Sequence, residues 1–299
     1  MSQKIVPNLW FDRNAEEAGE FYASALPRTT SEVTARYPAE VPDWQADFAG
    51  APLVVDIVVD GTRMSLINAG PEFRPNPSIS FLLNFDPLVF DGEEGARAAL
   101  DDTWAALSSD GSALMPLGEY PFSPKYGWVQ DRYGVSWQLM LTDPAGEPRP
   151  FVIPQIMFAG AVQGKAREAA EFYTSTFEDA ALGTVVDYPQ ATGIAEAGNV
   201  MFGEFRVGDQ WFAMMDSNVE HDFAFSCGVS LEVRCRDQAE IDRLWDALSA
   251  VPEAEQCGWL ADRYGVSWQI VPQQMGELMA RPGAYENMLR MKKLVIADF

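Results

Sequence analysis

Histidine and positive charge are both scarce in this 299-residue chain. Its one histidine is His221, and 21 Lys and Arg residues stand against 44 Asp and Glu residues, for a formal net charge of −23. A chain this acidic repels phosphate backbones and anionic lipid surfaces, so we expect neither nucleic acid nor a membrane as a partner. A single histidine also excludes most zinc sites built on imidazole and a histidine-based catalytic triad.

Cysteines and long apolar runs are equally few. Cys227, Cys235 and Cys257 are an odd number without CxxC spacing, which is typical of reduced thiols. The longest uncharged run, from Pro150 to Gly164, is too short to span a bilayer, and the first residues lack the apolar core of a signal peptide. We therefore expect a cytoplasmic protein.

The chain is duplicated. GWVQDRYGVSWQLML at 127–141 recurs as GWLADRYGVSWQIVP at 258–272, and Glu-Phe-Tyr at 20–22 recurs at 171–173. Since the chain is 47% hydrophobic, each copy has enough apolar residues for its own core. A stretch rich in Pro and Gly separates the copies. The predicted organisation is a first module over 1–143, a linker over 144–150, a second module over 151–275 and a helical tail over 276–299.

Each copy contains the pattern βαβββ twice, which predicts an α+β fold with four such units in the chain. Asn14 with Glu17, and Asp237 with Glu240, have the spacing of helix caps. The helical stripe that contains Tyr22, and the matching stripe with Tyr173, are expected to leave the tyrosine hydroxyls exposed.

These features resemble the vicinal oxygen chelate superfamily, which includes glyoxalase I, bleomycin-resistance proteins and extradiol dioxygenases. The closest resemblance is to its PhnB-like branch, often labelled demethylubiquinone methyltransferase-like. The residues that carry it are AEEA and EFY in the first helix, DQAEIDRLWDALS at 237–249, GWLADRYGVSWQIVP and the final MKKLVIADF. The resemblance implies paired βαβββ units that form a cupped mixed sheet. The sequence shows no glycine-rich strand–turn–helix that would hold a nucleotide or S-adenosylmethionine.

Metal-using members of the superfamily carry four ligands on the concave faces of their paired units. Carried over by register, these positions offer one carboxylate and no imidazole in each copy. Such a set suits Mg²⁺ or Mn²⁺ weakly and a transition metal poorly, so no cofactor is expected, with a hard divalent cation as the alternative. The positions are Asn8, Asp56, Ser78 and Gln138 in the first copy and Gln155, Glu204, Gly228 and Gln269 in the second.

Gln138 and Gln269 occupy the same place in the repeated Ser-Trp-Gln, which suggests either a ligand pocket or glutamines satisfied by neighbouring backbone. The carboxylates of Asp56 and Glu204 are weak candidates for a catalytic base, and so is His221, although a loop position is the favoured interpretation of that histidine. Cys257 is interpreted as structural.

Six of the nine tryptophans form duplicated pairs and are predicted to be core: Trp104 with Trp245, Trp128 with Trp259, and Trp137 with Trp268. The unpaired tryptophans, Trp10, Trp44 and Trp211, are the better candidates to line a pocket.

Three functions remain open at this point. The first is binding of a small organic molecule in the cups without a transition metal, as in bleomycin-resistance proteins, with Asn8, Gln138, Gln155, Gln269, Trp10 and Trp211 as ligand-binding candidates. The second is an isomerase, lyase or dioxygenase of the glyoxalase type. The third is a structural or interaction protein whose cups are filled by side chains. We expect a monomer in which the modules pair within the chain, or a homodimer.

Overall fold

The computed structural model describes residues 3–299, which form two mixed β-sheets with α-helices packed against them. The fifteen strands are β1 (Ile5–Phe11), β2 (Thr29–Arg36), β3 (Pro52–Val59), β4 (Thr62–Asn68), β5 (Ile79–Phe85), β6 (Ser112–Tyr120), β7 (Ser123–Gln130), β8 (Ser136–Leu141), β9 (Val152–Phe158), β10 (Ala180–Asp187), β11 (Val200–Val207), β12 (Gln210–Asp216), β13 (Val229–Cys235), β14 (Trp259–Ala261) and β15 (Ser267–Pro272). The α-helices are α1 (Ala15–Ala25), α2 (Gly92–Ser108), α3 (Ala166–Thr176), α4 (Gln238–Leu248), α5 (Met275–Met279) and α6 (Ala284–Arg290).

The two sheets do not correspond to the two copies of the repeat. The seven-stranded sheet has the order β14-β15-β13-β1-β4-β3-β2, and the eight-stranded sheet has the order β10-β11-β12-β9-β5-β8-β7-β6. The first unit of copy one therefore shares a sheet with the last unit of copy two, through antiparallel pairing of Asn8 with Ser230. The two middle units share the other sheet, where Ser80 pairs with Gln155.

The α+β class and the tandem of βαβββ units are confirmed, with one shortened unit. The first three units each have a strand, a helix and three further strands, whereas the last has only β14 and β15 after α4. The missing strand corresponds to β6, which lies in the stretch that the first copy has and the second lacks.

A single apolar cluster fills the space between the helices and the inner faces of both sheets. Strand alternation directs residues such as Leu9, Leu231 and Trp268 into this core, while their sequence neighbours lie on the opposite, outer faces of the sheets. The prediction that duplicated tryptophans are core is right for Trp137, Trp268 and Trp245, and Trp104 packs against the same cluster. Trp128 is buried in a smaller cluster on the outer face of its sheet. Trp259, on the outer face of the other sheet, is only half-buried, so the prediction is wrong for this residue.

The repeated DRYGVSWQ joins the two halves of each copy through a buried aspartate. Asp131 accepts hydrogen bonds from the hydroxyl of Tyr22 on α1 and from the indole N–H of Trp137, both at 2.8 Å, and from two backbone N–H groups. Burial raises the pKa of Asp131, and these donors oppose that rise. The tyrosine hydroxyls are buried, so the prediction that they are exposed was wrong. Asp262 repeats the arrangement with Tyr173 and Trp268.

One of the two predicted helix caps is correct. The side chain of Asp237 accepts from the backbone N–H of Glu240 at 2.9 Å. Asn14 makes no side-chain cap. Instead, the Asn68 side chain at the end of β4 accepts from the N–H of Ala15 at 2.9 Å. Such a cap joins residues far apart in sequence, which local spacing does not reveal.

The tail contains the short helix α6 and most of α5, and it forms its own apolar cluster on the end of β15. None of the helices within residues 3–299 is long and apolar enough to cross a membrane.

Candidate functional site

Each sheet curves so that its outer face forms a cup. We call the outer face of the eight-stranded sheet the open cup, since a cavity of about 380 Å³ lies in it. Thr184 on β10 and Phe122 between β6 and β7 belong to opposite edges of the sheet, yet both line this cavity. The sheet is therefore strongly curved. We call the outer face of the seven-stranded sheet the covered cup.

The cavity of the open cup has apolar walls and a polar end. Leu82, Met140 and Ile153 form its floor, and Phe122 and Phe202 flank it. The polar end lies where the parallel strands β5 and β8 finish and the linker begins. The polar lining residues are Asn84, Asp86, Thr142, Asp143, Glu147, Arg149, Thr184 and Glu204.

Arg149 extends from the linker into the open cup. Its Nε and Nη2 atoms each donate to a carboxylate oxygen of Glu204 at 3.0 Å, and its guanidinium lies 4.0 Å from the ring centroid of Trp211. Glu204 is 7% exposed, and a bidentate guanidinium is the partner that satisfies a buried carboxylate best. Arg149 therefore balances the negative charge of this carboxylate and engages both of its oxygens, which makes it a poor general base.

The glutamines of the open cup are held by the protein itself. Gln138 accepts from the hydroxyl of Tyr126 at 2.6 Å and donates to Ser80 at 2.9 Å. Gln155 pairs in register with Ser80 and donates to the Met215 sulfur at 2.9 Å. These amides therefore have side-chain partners within the protein, and not the neighbouring backbone that the sequence suggested.

The covered cup has a similar polar row. Ser65 donates to Asp56 at 2.7 Å, and Gln269 donates to Ser230 at 3.0 Å. Asn8 is 3% exposed, and its side-chain oxygen has no hydrogen-bond partner among the described residues. The row is thus largely satisfied internally.

Aromatic side chains lie on the covered cup, and the tail packs against it. Trp10 contacts Phe73 and Trp259 in edge-to-face pairs, with ring centroids 5.1 and 5.8 Å apart. The tail packs Leu294 and its neighbours on Val271 at the outer face of β15. Tyr285 of α6 then donates to Gln45, beyond β2 at the far edge of the sheet, at 2.8 Å. The tail therefore bridges the two edges of this sheet.

The grouping of the predicted ligand positions by copy was wrong, because the sheets mix the copies. Asn8 and Asp56 share the covered cup with Gly228 and Gln269. Ser78 and Gln138 share the open cup with Gln155 and Glu204.

These positions do not fit the metal that glyoxalase-type relatives use. A Cβ atom on Gly228 would collide with the carbonyl of Arg74, so no ligating side chain fits there. The carboxylates of Asp56 and Glu204 are already bound by Ser65 and Arg149. Within residues 3–299, no three His, Cys, Asp or Glu side chains are grouped as a metal site.

The remaining candidates lie apart from the cavity. His221 shares a 2.8 Å hydrogen bond with Ser217 and stacks on Phe223, so its partner is not Glu204. Burial lowers the pKa of His221. Trp44 is 71% exposed, and Cys257 lies against the tail, where its thiol donates to the Met288 carbonyl at 3.4 Å.

The family model described as 3-demethylubiquinone-9 3-methyltransferase matches residues 3–140 and 150–271. The chain belongs to this PhnB-like family. It is 34% identical to a PhnB protein from Bacillus cereus, over 47% of this chain and 100% of that one (TM-score 0.39). It is 27% identical to PA1353 from Pseudomonas aeruginosa, over 47% and 98% (TM-score 0.37).

Glyoxalase I from Zea mays is 12% identical over 91% of this chain and 93% of its own, with a TM-score of 0.50. This likeness shows the vicinal oxygen chelate fold in its two-module form, and shows the fold alone. No curated protein matches the chain.

Sequence reasoning missed most of the cavity lining. Of the eight predicted positions only Glu204 lines the 380 Å³ cavity, and Trp211 approaches it through Arg149. The signal that was available is the basic residue in an otherwise acidic linker, Glu-Pro-Arg-Pro at 147–150, whose rigid prolines fix the chain around Arg149.

Proposed function

We propose that this member of the PhnB-like family binds a small, largely apolar organic molecule in the open cup. The observation that carries the proposal is the cavity of about 380 Å³ on the outer face of the eight-stranded sheet. Ligand sites in proteins typically enclose roughly 300–1,000 Å³, with apolar walls and a few polar groups. The walls formed by Leu82, Met140, Ile153 and Phe202 match that description.

The proposal is for binding without chemistry at Glu204. A general base must be free to take a proton, whereas both oxygens of this carboxylate accept from Arg149. The ion pair, stacked on Trp211, acts instead as a rigid wall at one side of the cavity.

The test compares a variant that blocks the cavity with a variant that makes the same change on the surface outside it. Thr184 is exposed on β10 and lines the cavity, so Thr184→Trp places a large ring in it. Leu114→Trp adds the same ring on β6 of the same sheet, outside the cavity lining, where Leu114 is 42% exposed.

The probe is the neutral apolar dye Nile red. We expect wild type and Leu114→Trp to bind it alike and Thr184→Trp to bind about tenfold more weakly or worse, since overfilled sites exclude ligand. Native mass spectrometry of protein purified from its own host gives a second measure, a retained small molecule that Thr184→Trp loses. Equal Nile red binding by Thr184→Trp, or no bound dye and no retained molecule in the wild type, would overturn the proposal.

A further inference from the structure

We infer that the molecule bound in the open cup is an organic cation, with an ammonium or guanidinium group on an apolar body. The inference rests on the proposed function and adds the charge class of the ligand. It is carried by the uneven charge of the cavity: four carboxylates line it, against one guanidinium. They are Asp86, Asp143, Glu147 and Glu204, against Arg149.

The one cationic side chain in the lining has four of its five N–H donors engaged by the protein. Arg149 uses Nε and Nη2 on Glu204, and its Nη1 donates to Glu147 at 3.2 Å and to the carbonyl of Pro148 at 3.3 Å. An anion entering the cavity would meet carboxylates without a free guanidinium to balance them, which is unfavourable.

Two of the carboxylates keep free acceptor capacity. Asp86 and Asp143 each use Oδ1 to accept a backbone N–H, from Leu88 at 2.8 Å and Ala145 at 2.9 Å. Their Oδ2 atoms have no hydrogen-bond partner within residues 3–299. These turns fix both side chains at the ends of the parallel strands β5 and β8, so the two free oxygens belong to the same end of the cavity.

A third acceptor belongs to Thr142, which lines the same cavity. Its hydroxyl oxygen is buried and has no partner in the described part of the chain. A buried hydroxyl without a partner is costly, so a donor from the ligand would stabilise it. An ammonium group has three donors and no acceptor, which matches these oxygens.

The arrangement favours an organic cation over a metal ion. The acidic groups of the described residues are not clustered as metal ligands. The cavity instead extends from the carboxylates over Met140 and Leu82 to the rings of Phe202 and Phe122. Aromatic faces and methionine contact both an apolar body and a nearby positive charge favourably.

The experiment uses three probes that share one skeleton: 3-phenylpropylammonium, 3-phenylpropanol and 3-phenylpropanoate. Titration calorimetry on the full chain at low salt should give the order cation, alcohol, anion. We expect the cation to bind about tenfold more tightly than the alcohol. Added salt should reduce that ratio, because exposed charges are screened.

The variant pair tests the source of the preference. Asp86→Asn with Asp143→Asn keeps an oxygen for each turn hydrogen bond and removes two charges, and should lower the cation-to-alcohol ratio to about twofold. Glu94→Gln with Asp102→Asn removes two exposed charges from α2, outside the cavity, and should leave the ratio unchanged.

The outcomes separate the two proposals. Equal affinity for cation and alcohol, or tightest binding of the anion, would overturn the cation inference and leave the binding function standing. A ratio that falls equally in both variant pairs would also overturn it, since net charge alone would then explain the preference. If none of the probes nor Nile red binds, the proposed function itself fails.

Discussion

The two cups are built from related units, yet a cavity of about 380 Å³ lies in one and the tail packs over the other. In the open cup, the segment after the last strand of copy one is the short linker, which brings Arg149 to Glu204 and leaves the cavity accessible. In the covered cup, the segment after the last strand of copy two is the longer tail, which reaches Tyr285 across to Gln45. The segment after the last strand of each copy thus lines the cavity in the open cup and packs over the covered cup.

The comparison shows that the repeated motif does not decide which cup is accessible. DRYGVSWQ builds the same buried aspartate network in both copies, and Ser80 with Gln138 repeats as Ser230 with Gln269. The segments that differ between the copies decide which cup is accessible. Trp10 and Phe73 lie on the covered cup, and the tail lies over its edge. If the open cup binds a ligand as proposed, the segments that differ between the copies decide where it binds.

The largest expected effect concerns the buried aspartate, which both copies of the repeat contain. Asp131→Asn and Asp262→Asn should each lower the free energy of unfolding by about 3–4 kcal/mol, because the amide leaves a buried indole N–H without an acceptor. Denaturant unfolding measures both. Tyr22→Phe and Tyr173→Phe, which remove one hydrogen bond each, are matched controls that should cost about 1 kcal/mol. Unequal losses at the two aspartates would show that the repeat is not equivalent.

The next effect should be confined to the covered cup. Leu294 is fully buried in the tail cluster, and Leu294→Ala should cost about 3 kcal/mol of stability through the cavity it leaves. Nile red binding in the open cup should not change. If the variant is as stable as the wild type, the tail does not pack over its cup as described.

A smaller effect should be confined to the open cup. Arg149→Met leaves the buried Glu204 carboxylate without its partner and should cost about 2 kcal/mol at neutral pH. Arg149→Met combined with Glu204→Gln should recover most of the stability, and an additive further loss in this double variant would contradict the pairing.

The smallest effect involves the single histidine. Burial lowers the pKa of His221, so the folded chain resists its protonation and loses stability as the pH falls below the ordinary value of 6.5. The penalty should stay under about 1 kcal/mol, since the ring is partly exposed. His221→Gln should remove it. Thermal unfolding from pH 8 to pH 5 compares the wild type with His221→Gln. Identical pH profiles would show that His221 does not cause this loss of stability.

Much of the fold could be predicted from the sequence, because its signals are local. Apolar periodicity, the DRYGVSWQ repeat and the Asp237 cap are patterns within a few residues of one another. The exchange of units between sheets could not be predicted, since it depends on pairing Asn8 with Ser230 across nearly the whole chain.

The candidate site was less predictable for the same reason. Register pointed to Glu204, which lines the cavity, but the other lining residues come largely from strand ends and the linker, where no repeat marks them. The glutamines were conspicuous in sequence because they repeat, and their partners Ser80 and Ser230 show that repetition here serves structure.

The most direct test of the difference between the cups is one NMR titration of methionine methyl groups. Met140 lines the open cavity, whereas Met279, Met288 and Met291 lie in the tail over the covered cup. On addition of 3-phenylpropylammonium, we expect a saturable shift of the Met140 signal and unchanged tail signals. Shifts of the tail methionines with a constant Met140 signal would contradict it.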